Sequence, residues 1–435
     1  MHFVFISEHT DTHQLDEISK AFVDFTKAQP GMVPLTKLPA AEYSGLRVYT
    51  SIDPDLMRAA LKALNDHLPT IERQFPPVDN QTDALVQDHL LGAVIAMDPC
   101  TGEIITMVGA AAGDNGLDYA KLAINTLAPP ASTIKPELVY KALSGSALPN
   151  GERYTSATLI DPRLGHVAGW RPDMGVGSEP IRVRRCLSRS DDGCAAYTLN
   201  LLGLKTGGEF YHQLTGANPS PLSGLLAIGF GSHTEISPLN EARAYSIFSN
   251  GGVPATPTAI YKVFQNSQEL PLPQPAAQPP VVNPGAAFIT AQMLRSPLGW
   301  GYDGSVGTAR NAEFARTFLR AHPEVEMGGK TGSGPNNLWM VSVSPRLVVA
   351  VLITYQHNSK FRNAKKVIAA DTATVIWSDF MREVNGSRPD LLGGHWTQPP
   401  NVHALKVDPV RGCLSEDGIE EYFLDDARPR PCEGR

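Results

Sequence analysis

The chain has 435 residues, of which 42% are hydrophobic and 19% are charged, and its net charge is −7. This length allows two or three domains, or one large domain with extensions, and the composition is that of a globular protein. No basic block could track a phosphate backbone, which argues against nucleic-acid binding. The longest apolar stretches, 90–97 and 347–355, are far shorter than the roughly 20 residues of a membrane helix.

The amino-terminal segment shows weak periodicity, and we interpret residues 1–46 as the remnant of an upstream linker or domain. It has neither the basic n-region nor the long apolar h-region of a signal peptide. Asp53 and Pro54 then predict the start of a helix, because aspartate is a preferred N-cap residue and proline fits the first helical position. The apolar face of this helix carries Leu56, Ala60, Leu64 and Leu68.

Strand and loop patterns follow along the chain. The runs 93–97 and 103–108 are strand-like, and the turn formers between them predict a hairpin. The region 120–260 alternates helical patterns with Gly/Pro loops, and Ser237 predicts the cap of another helix within it. Residues 265–284 are rich in Pro and Gln, which predicts an exposed loop.

Strand signals return late, at 324–330, 338–344 and 347–355. The strands therefore lie towards both ends of the sequence, with helices between them. This order favours an α+β fold: one antiparallel sheet flanked by helices, with an inserted all-helical lobe.

A serine and a lysine three residues apart form the first chemical motif. Ser132 and Lys135 would meet on one helix face, where a neutral lysine amine could take the serine proton and make the hydroxyl a nucleophile. The helix start would also supply backbone N–H groups to an oxyanion near Ser132. By itself this spacing is common and is equally typical of a solvated helix start.

The second motif is Lys330-Thr331-Gly332-Ser333, at the end of a predicted strand. A lysine beside hydroxyl residues makes a carboxylate-binding edge, and the glycine lets a substrate backbone approach closely. The positive charge of Lys330 would also help to keep Lys135 neutral.

A third segment supplies Ser190-Asp191-Asp192, between Cys186 and Cys194. Together, Ser-x-x-Lys, Ser-x-Asn and Lys-Thr-Gly are the signature of penicillin-binding proteins and active-site serine β-lactamases, which this sequence resembles. Here Asp192 stands where these families usually have asparagine.

The flanking sequence resembles the transpeptidase half of the bifunctional class A penicillin-binding proteins. The resemblance predicts a penicillin-binding transpeptidase domain at 47–385 and a C-terminal tail at 386–435. The segments that carry it include Tyr-Thr-Ser-Ile-Asp-Pro at 49–54, Ala-Met-Asp-Pro-Cys-Thr-Gly-Glu at 96–103, Lys-Leu-Ala-Ile-Asn at 121–125 and Gly-Thr-Ala at 307–309.

The resemblance implies a serine acyl-transferase that acts on D-Ala-D-Ala stem peptides and is acylated by β-lactams. In that mechanism Ser132 is the nucleophile, Lys135 the base and Ser190 the proton relay. The backbone N–H groups of Ser132 and Ser333 form the oxyanion hole. Binding of the substrate carboxylate is implied for Lys330, Thr331 and Ser333, with Gly332 between them.

Asp192 is a departure with chemical consequences. Asparagine both donates and accepts hydrogen bonds, whereas an ionised aspartate only accepts. Its charge would favour the ammonium form of Lys135 and weaken that residue as a base. A protonated Asp192 would partly restore the donor. Residue types alone leave open an active enzyme and an impaired relative.

The resemblance also implies a location and partners. Penicillin-binding proteins act outside the cytoplasm, with stem peptides, β-lactams and a glycosyltransferase domain as the expected partners. We find no stretch in this sequence for the family's glycosyltransferase domain or membrane anchor, so we expect a fragment, a separate gene product or the soluble part of something longer. No cofactor is expected.

Five cysteines occur, and none forms a Cys-x-x-Cys pair, which argues against a zinc or redox site. Cys413 and Cys432 flank one loop-like tail, and the sequence allows either a disulfide or two free thiols there. A disulfide would suit an oxidising compartment.

Other motifs have simpler interpretations. The segment around Gly329-Lys330 lacks the first glycine of a P-loop, and 229–231 lacks the third glycine of a dinucleotide fingerprint. A second Lys-Thr-Gly, 205–207, is interpreted as the end of a helix. His9 and His13 lack the rest of a metalloprotease motif and are assigned to a solvated terminus. Trp170 and Trp339 fit either the cleft or the core.

Two classes of function remain. One is an active acyl-transferase, with D,D-transpeptidase preferred over D,D-carboxypeptidase or β-lactamase. The other is a catalytically impaired relative that binds cell-wall peptides or serves as a scaffold. Covalent labelling by a fluorescent penicillin would separate them.

Overall fold

The computed structural model describes most of the chain. The described residues are 2–5, 46–113, 119–167, 169–172, 175–215, 235–272, 280–281, 283–299, 307–310, 312–357, 359–369 and 372–433. The sequence interpretations of His9, His13 and 229–231, and nearly all of 1–46, fall outside these residues.

The helices of the described residues are as follows. The α-helices are α1 (Pro54–Gln74), α2 (Tyr119–Asn125), α3 (Lys135–Leu143), α4 (Val183–Arg189), α5 (Asp192–Leu202), α6 (Leu204–Thr215), α7 (Pro238–Ser246), α8 (Pro284–Leu294), α9 (Ala364–Ala369) and α10 (Thr372–Ser387). Short 3₁₀ turns lie at Ala131–Ile134, Pro162–Leu164, Ser296–Leu298 and Pro389–Leu392, and a π-helical turn at Ala315–Leu319.

The strands of the same residues run through the whole chain. They are β1 (His2–Phe5), β2 (Leu46–Thr50), β3 (Pro77–Val78), β4 (Leu90–Met97), β5 (Ile104–Ala111), β6 (Leu159–Ile160), β7 (Ile181–Arg182), β8 (Ile260–Gln265), β9 (Gln268–Leu270), β10 (Gly328–Ser333), β11 (Asn337–Val343), β12 (Val348–Tyr355), β13 (Lys360–Phe361), β14 (Val402–Val407) and β15 (Ile419–Leu424).

The central sheet has the order β10-β11-β12-β4-β5, and each neighbouring pair is antiparallel. All residues of β4, β5, β11 and β12 are buried. An antiparallel sheet with one wet face would alternate apolar and polar residues, so continuous burial means that both faces are covered. The expectation of an α+β fold with helices on an antiparallel sheet is confirmed.

Two glycines show how the helices cover opposite faces. A Cβ on Gly92 would lie 2.6 Å from Leu64 of α1, and one on Gly109 would lie 2.5 Å from Leu122 of α2. Gly109 pairs with Ala93, the residue next to Gly92, so the two glycines face opposite sides of the sheet. The sheet is thus enclosed between α1 and α2 at this end.

Several local predictions are confirmed. Asp53 caps α1, and its side chain accepts from the backbone N–H groups of Asp55 and Leu56 at 3.0 and 3.1 Å. The hairpin predicted before residue 110 is β4–β5, and Ser237 caps α7. No helix among the described residues is long and apolar enough to cross a membrane.

The strand predicted at 324–330 was placed too early, because β10 begins at Gly328 and continues to Ser333. The second motif therefore forms the last four residues of the strand, and it lies at the strand's end as predicted. Pairing with β11 extends the strand, and Gly328 permits this position, since a Cβ there would lie 2.6 Å from Leu294 Cβ.

The predicted loop 265–284 is also wrong in part. Residues 268–270 form β9, which pairs with β8 through a two-residue turn. Both turn residues, Asn266 and Ser267, have positive φ angles of 48° and 73°, the conformation that two-residue hairpins require. The Pro-rich composition masked this local hairpin.

The second Lys-Thr-Gly, 205–207, does not end a helix, contrary to the prediction. It lies in the first turn of α6, while the preceding helix α5 ends at Gly203 with φ of 81°. Lys205 is 85% exposed in its side chain and faces Glu209. Its exposure separates it from the buried Lys330.

Candidate active site

The turn that carries Ser132 is a 3₁₀ turn, Ala131–Ile134, that runs directly into α3 at Lys135. Residues three apart eclipse each other in such a turn, which brings Ser132 and Lys135 to one side. Thr133 holds the turn closed, since its hydroxyl donates to Pro130 O at 2.7 Å. Ser132 is half-buried and Lys135 is buried.

Lys135 Nζ points to the third motif. It donates to Ser190 O at 2.7 Å, to Ser190 Oγ at 3.3 Å and to the Asp192 carboxylate. Within the described part of the chain, no hydrogen bond joins Ser132 to Lys135. In the free protein the amine is therefore occupied by Ser190 and Asp192.

Ser190 reaches the site because it ends α4 in the left-handed conformation, with φ of 56°. The next residue, Asp191, caps α5 and accepts from Cys194 N at 2.9 Å and from Gly177 N at 2.7 Å. A disulfide joins Cys186 to Cys194 across this turn. The sequence analysis did not predict that bridge, although the two cysteines bracket the motif.

Lys330 approaches Ser190 from the sheet. It is fully buried in β10, and its Nζ donates to Ser190 Oγ at 2.8 Å and to Thr331 O at 2.7 Å. Burial, and then the charge of Lys135, hold the pKa of Lys330 well below its usual value, while Asp192 opposes this. Ser190 Oγ thus lies between two lysine amines.

The β10 edge packs directly on the serine turn. A Cβ on Gly332 would lie 2.7 Å from Pro130 O and 2.9 Å from the Thr133 methyl group. Trp339 of β11 is buried and donates from Nε1 to Pro129 O at 2.7 Å. The core alternative left open for Trp339 is therefore the one observed, while Trp170 is 38% exposed.

Thr331 and Ser333 complete this edge, and both are half-buried. Thr331 Oγ1 donates to Thr308 Oγ1 at 2.8 Å. The structure therefore brings the segments 131–135, 190–192, 307–310 and 328–333 together at one place. All eight residues that the sequence analysis selected lie in these segments.

Sequence reasoning missed two acids behind the serine turn. Glu137, in the first turn of α3, and Glu241, in the first turn of α7, are both fully buried. Burial raises the pKa of Glu241 to about 8, and burial together with the charge of Glu241 raises that of Glu137. Tyr245 ties α7 to the turn by donating to Thr133 O at 2.6 Å. A single glutamate in a helical pattern is usually solvent-exposed, so nothing in the local sequence indicates that these two residues are buried.

Comparison with known proteins decides the family. The family model described as the penicillin binding protein transpeptidase domain matches residues 92–374, which is more than half of the chain. This chain belongs to that family. The resemblance given by the motifs is thereby confirmed, and the match includes all three motif segments of the transpeptidase domain.

Curated relatives agree with this assignment. Penicillin-binding protein 2D of Bacillus subtilis is 26% identical over 405 residues, which cover 89% of this chain and 52% of the relative. Penicillin-binding protein 1A of Clostridium botulinum is 26% identical over 389 residues, covering 85% and 43%. Penicillin-binding protein 1A of Neisseria lactamica is 28% identical over 362 residues, covering 78% and 40%. The chain thus spans about half or less of these relatives.

Solved structures share the fold of this transpeptidase domain. Penicillin-binding protein 1A from Haemophilus influenzae superposes with a TM-score of 0.72 at 16% identity, covering 97% of this chain and 77% of that one. Penicillin-binding protein PonA1 from Mycobacterium tuberculosis gives a TM-score of 0.56 at 17% identity, covering 92% and 97%. At these identities the likeness concerns the fold alone.

The close packing of β10 on the serine turn leads to a first prediction. Gly332→Ala in this transpeptidase domain is expected to lower the free energy of unfolding by about 1–3 kcal/mol, because the new methyl group would press on Pro130 O and Thr133. Urea unfolding measures the change. Gly386→Ala is the matched control: Gly386 is exposed on α10 with nothing within 4 Å of a Cβ, so that variant should be as stable as wild type or more stable. Equal stabilities for Gly332→Ala and wild type would contradict the packing.

Proposed function

We propose that this chain is a peptidoglycan D,D-transpeptidase, a serine acyl-transferase that forms an acyl-enzyme on Ser132 and is inhibited covalently by β-lactams. One observation carries the proposal. Ser190 Oγ lies 3.3 Å from Lys135 Nζ and 2.8 Å from Lys330 Nζ, so three segments that are distant in sequence meet at one hydroxyl group. Membership of the penicillin-binding transpeptidase family supports it.

The acylation step uses these groups as follows. Ser132 Oγ forms a bond to the carbonyl carbon of the penultimate D-Ala as Lys135 takes the hydroxyl proton. The backbone N–H groups of Ser132 and Ser333 stabilise the oxyanion. The bond to the terminal D-Ala then breaks, and Ser190 passes a proton to the leaving amine. An amine of a second stem peptide resolves the ester in a cross-link; water would resolve it in a carboxypeptidase.

The β10 edge would bind the terminal carboxylate through Lys330, Thr331 and Ser333. Burial and a neighbouring ammonium disfavour the charged form of Lys330 in the free protein, which is why its pKa lies low. An arriving carboxylate supplies an opposite charge and favours the ammonium again. Substrate binding and the protonation of Lys330 would therefore be coupled.

A second candidate function has its own support. Asp192 binds Lys135 directly, and no hydrogen bond between Lys135 and Ser132 occurs in the described residues. In this arrangement the Lys135 amine points to Ser190 and Asp192 and not to the Ser132 hydroxyl, so it is not placed to take the serine proton. The alternative is a catalytically impaired relative that binds cell-wall peptides or serves as a scaffold; a D,D-carboxypeptidase or β-lactamase is the other active-enzyme alternative.

The proposed setting is extracytoplasmic. Two disulfides, Cys186–Cys194 and Cys413–Cys432, suit an oxidising compartment. The second bridge joins the two tail cysteines, for which the sequence allowed either a disulfide or two free thiols. The proposed partners are stem peptides and β-lactams, together with a glycosyltransferase domain, and no cofactor takes part in the proposed steps.

Covalent labelling by a fluorescent penicillin tests the function. We expect wild type to form an adduct that survives denaturation, and Ser132→Ala to lose it by at least ~10³-fold, because the nucleophile is gone. Gel fluorescence and the intact mass of the adduct measure the result. An adduct of normal yield in Ser132→Ala would refute the assignment of the nucleophile.

The two Lys-Thr-Gly segments provide a matched control for this experiment. Lys330→Ala should strongly reduce labelling, whereas Lys205→Ala should label like wild type, because Lys205 is exposed on α6. Absence of any adduct in wild type would favour the impaired relative. Rapid turnover of a chromogenic β-lactam would favour a β-lactamase.

A further inference from the structure

The C-terminal hairpin β14–β15 reaches the interior of the molecule through one acidic side chain. Glu421 of β15 is fully buried, as are Arg182 of β7 and Arg184 of α4. Arg182 Nη1 donates to Glu421 Oε1 at 2.7 Å. Arg184 donates from Nε to Oε1 at 2.6 Å and from Nη2 to Oε2 at 2.8 Å. One carboxylate therefore holds two guanidinium groups, the second in bidentate geometry.

The three side chains of this cluster are fully buried, so water could not take the place of the carboxylate if it were removed. Arg184 Nη1 is also bonded within the protein, to Gln292 O at 2.7 Å and Ser296 Oγ at 3.3 Å. Without Glu421, two buried guanidinium groups would lose the carboxylate that they share, which is far more costly than breaking a surface ion pair. The position of α4 therefore depends on Glu421.

Helix α4 leads from the cluster straight to the active site. Arg184 is its second residue, and Ser190 is its C-cap seven residues after Val183. The amides of Ser190 and Asp191 are bonded back to Leu187 O and Cys186 O of the same helix. A shift of Arg184 would therefore move the Ser190 hydroxyl relative to the lysine amines on either side of it.

A second route runs from the cluster to β10. Arg184 bonds to Ser296, and Ser188 Oγ donates to Ser296 O at 3.4 Å. Thr308 N donates to Ser188 O at 3.1 Å, and Thr308 Oγ1 accepts from Thr331. The same buried cluster is therefore connected to Ser190 through α4 and to Thr331 of β10 through Ser296, Ser188 and Thr308.

We propose that Glu421 is a positioning residue for Ser190, and that the C-terminal hairpin is a working part of the transpeptidase site. Glu421 lies outside the segment 92–374 that the family model matches. The inference rests on the proposed function for its kinetic readout and on geometry alone for its structural readout.

The kinetic test uses Glu421→Gln, which keeps the size of the side chain and removes its charge. The expected result is at least a tenfold fall in the first-order rate constant of acylation by a fluorescent penicillin, with little change in the dissociation constant of the non-covalent complex. The pH profile of that rate constant should also change, because Ser190 would no longer lie between the two amines. The control is Glu420→Gln, since Glu420 is exposed and bonds only to Tyr422 OH among the described residues. An unchanged rate constant in folded Glu421→Gln would overturn the proposal.

Hydrogen exchange provides a test that needs no chemistry at Ser132. In Glu421→Gln we expect the amides of Ser190 and Asp191 to exchange at least tenfold faster than in wild type. Faster exchange confined to β14–β15 would overturn the proposal. If that variant does not fold, wild type decides: α4 and β15 should open with the same free energy, and a hairpin that opens independently of α4 would refute the inference. A wild-type protein that forms no adduct would instead contradict the proposed function and leave this test intact.

Discussion

Replacing Asp192 with asparagine is expected to raise the rate of penicillin acylation roughly tenfold at neutral pH. Asp192 bonds directly to Lys135 Nζ, and its side chain is 29% exposed, so its charge is only partly screened. An amide in its place removes the ion pair with Lys135 Nζ, and it restores a hydrogen-bond donor for the substrate amide. A hydrogen bond that contributes about 1.4 kcal/mol in the transition state corresponds to a tenfold change in rate. Stopped-flow labelling from pH 5 to pH 10 measures the effect.

The control for this prediction is Asp192→Ala, which removes the charge without adding a donor. Its rate should rise less than that of Asp192→Asn. Asparagine is close to aspartate in size, which matters because the backbone packs tightly here: a Cβ on Gly175 would lie 2.4 Å from Asp192 Oδ2. If Asp192→Asn is slower than wild type at every pH, the carboxylate of Asp192 assists acylation and does not impair it.

We expect wild type to lose stability between about pH 5 and pH 9, and we expect Glu241→Gln to remove much of that loss. The pKa of Glu241 is raised by burial to about 8, above its ordinary value of 4.5. A group with a raised pKa contributes stability that is fully present below the ordinary value and is lost as pH rises through the raised one. At 1.36 kcal/mol per pKa unit the upper limit of this loss is roughly 5 kcal/mol.

Urea unfolding at pH 5, 7 and 9 checks this prediction. Glu241→Gln should match wild type near pH 5 and exceed it at pH 9. The remaining slope would report Glu137, which no longer has a charged neighbour in that variant. Glu209→Gln is the control, because Glu209 is exposed on α6 and should leave the pH dependence unchanged. Parallel curves for wild type and Glu241→Gln would show that the buried pair does not titrate in this range.

The sequence identifies Asp192 as unusual, but it does not identify Glu241. Asp192 stands out because a carboxylate occupies a motif position where an amide is usual. Glu241 has no such mark, since a glutamate one turn after a helix cap is normally solvated and favourable there. Only the tertiary structure shows that it is buried and that its charge acts on Glu137. Motif spacing identifies the groups that react, but it does not identify buried ionisable groups that lie outside the motifs.

Local chemistry was sufficient for much of this protein. Turn residues, N-cap preferences and apolar periodicity all act within a few residues, and they account for the caps of α1 and α7 and for the β4–β5 hairpin. Ser132, Lys135 and Lys330 could be selected for the same reason, because each lies in a short motif of recognisable chemistry.

Tertiary structure decided the rest. Pairing with β11 extends β10 through Ser333. Lys330 is buried beside Ser190 because the serine turn, the Ser190 turn and β10 meet at one place. The bond from Arg184 to Glu421 joins residues 237 positions apart. Such contacts depend on how the whole chain packs, and no pattern within a short window of the sequence encodes them.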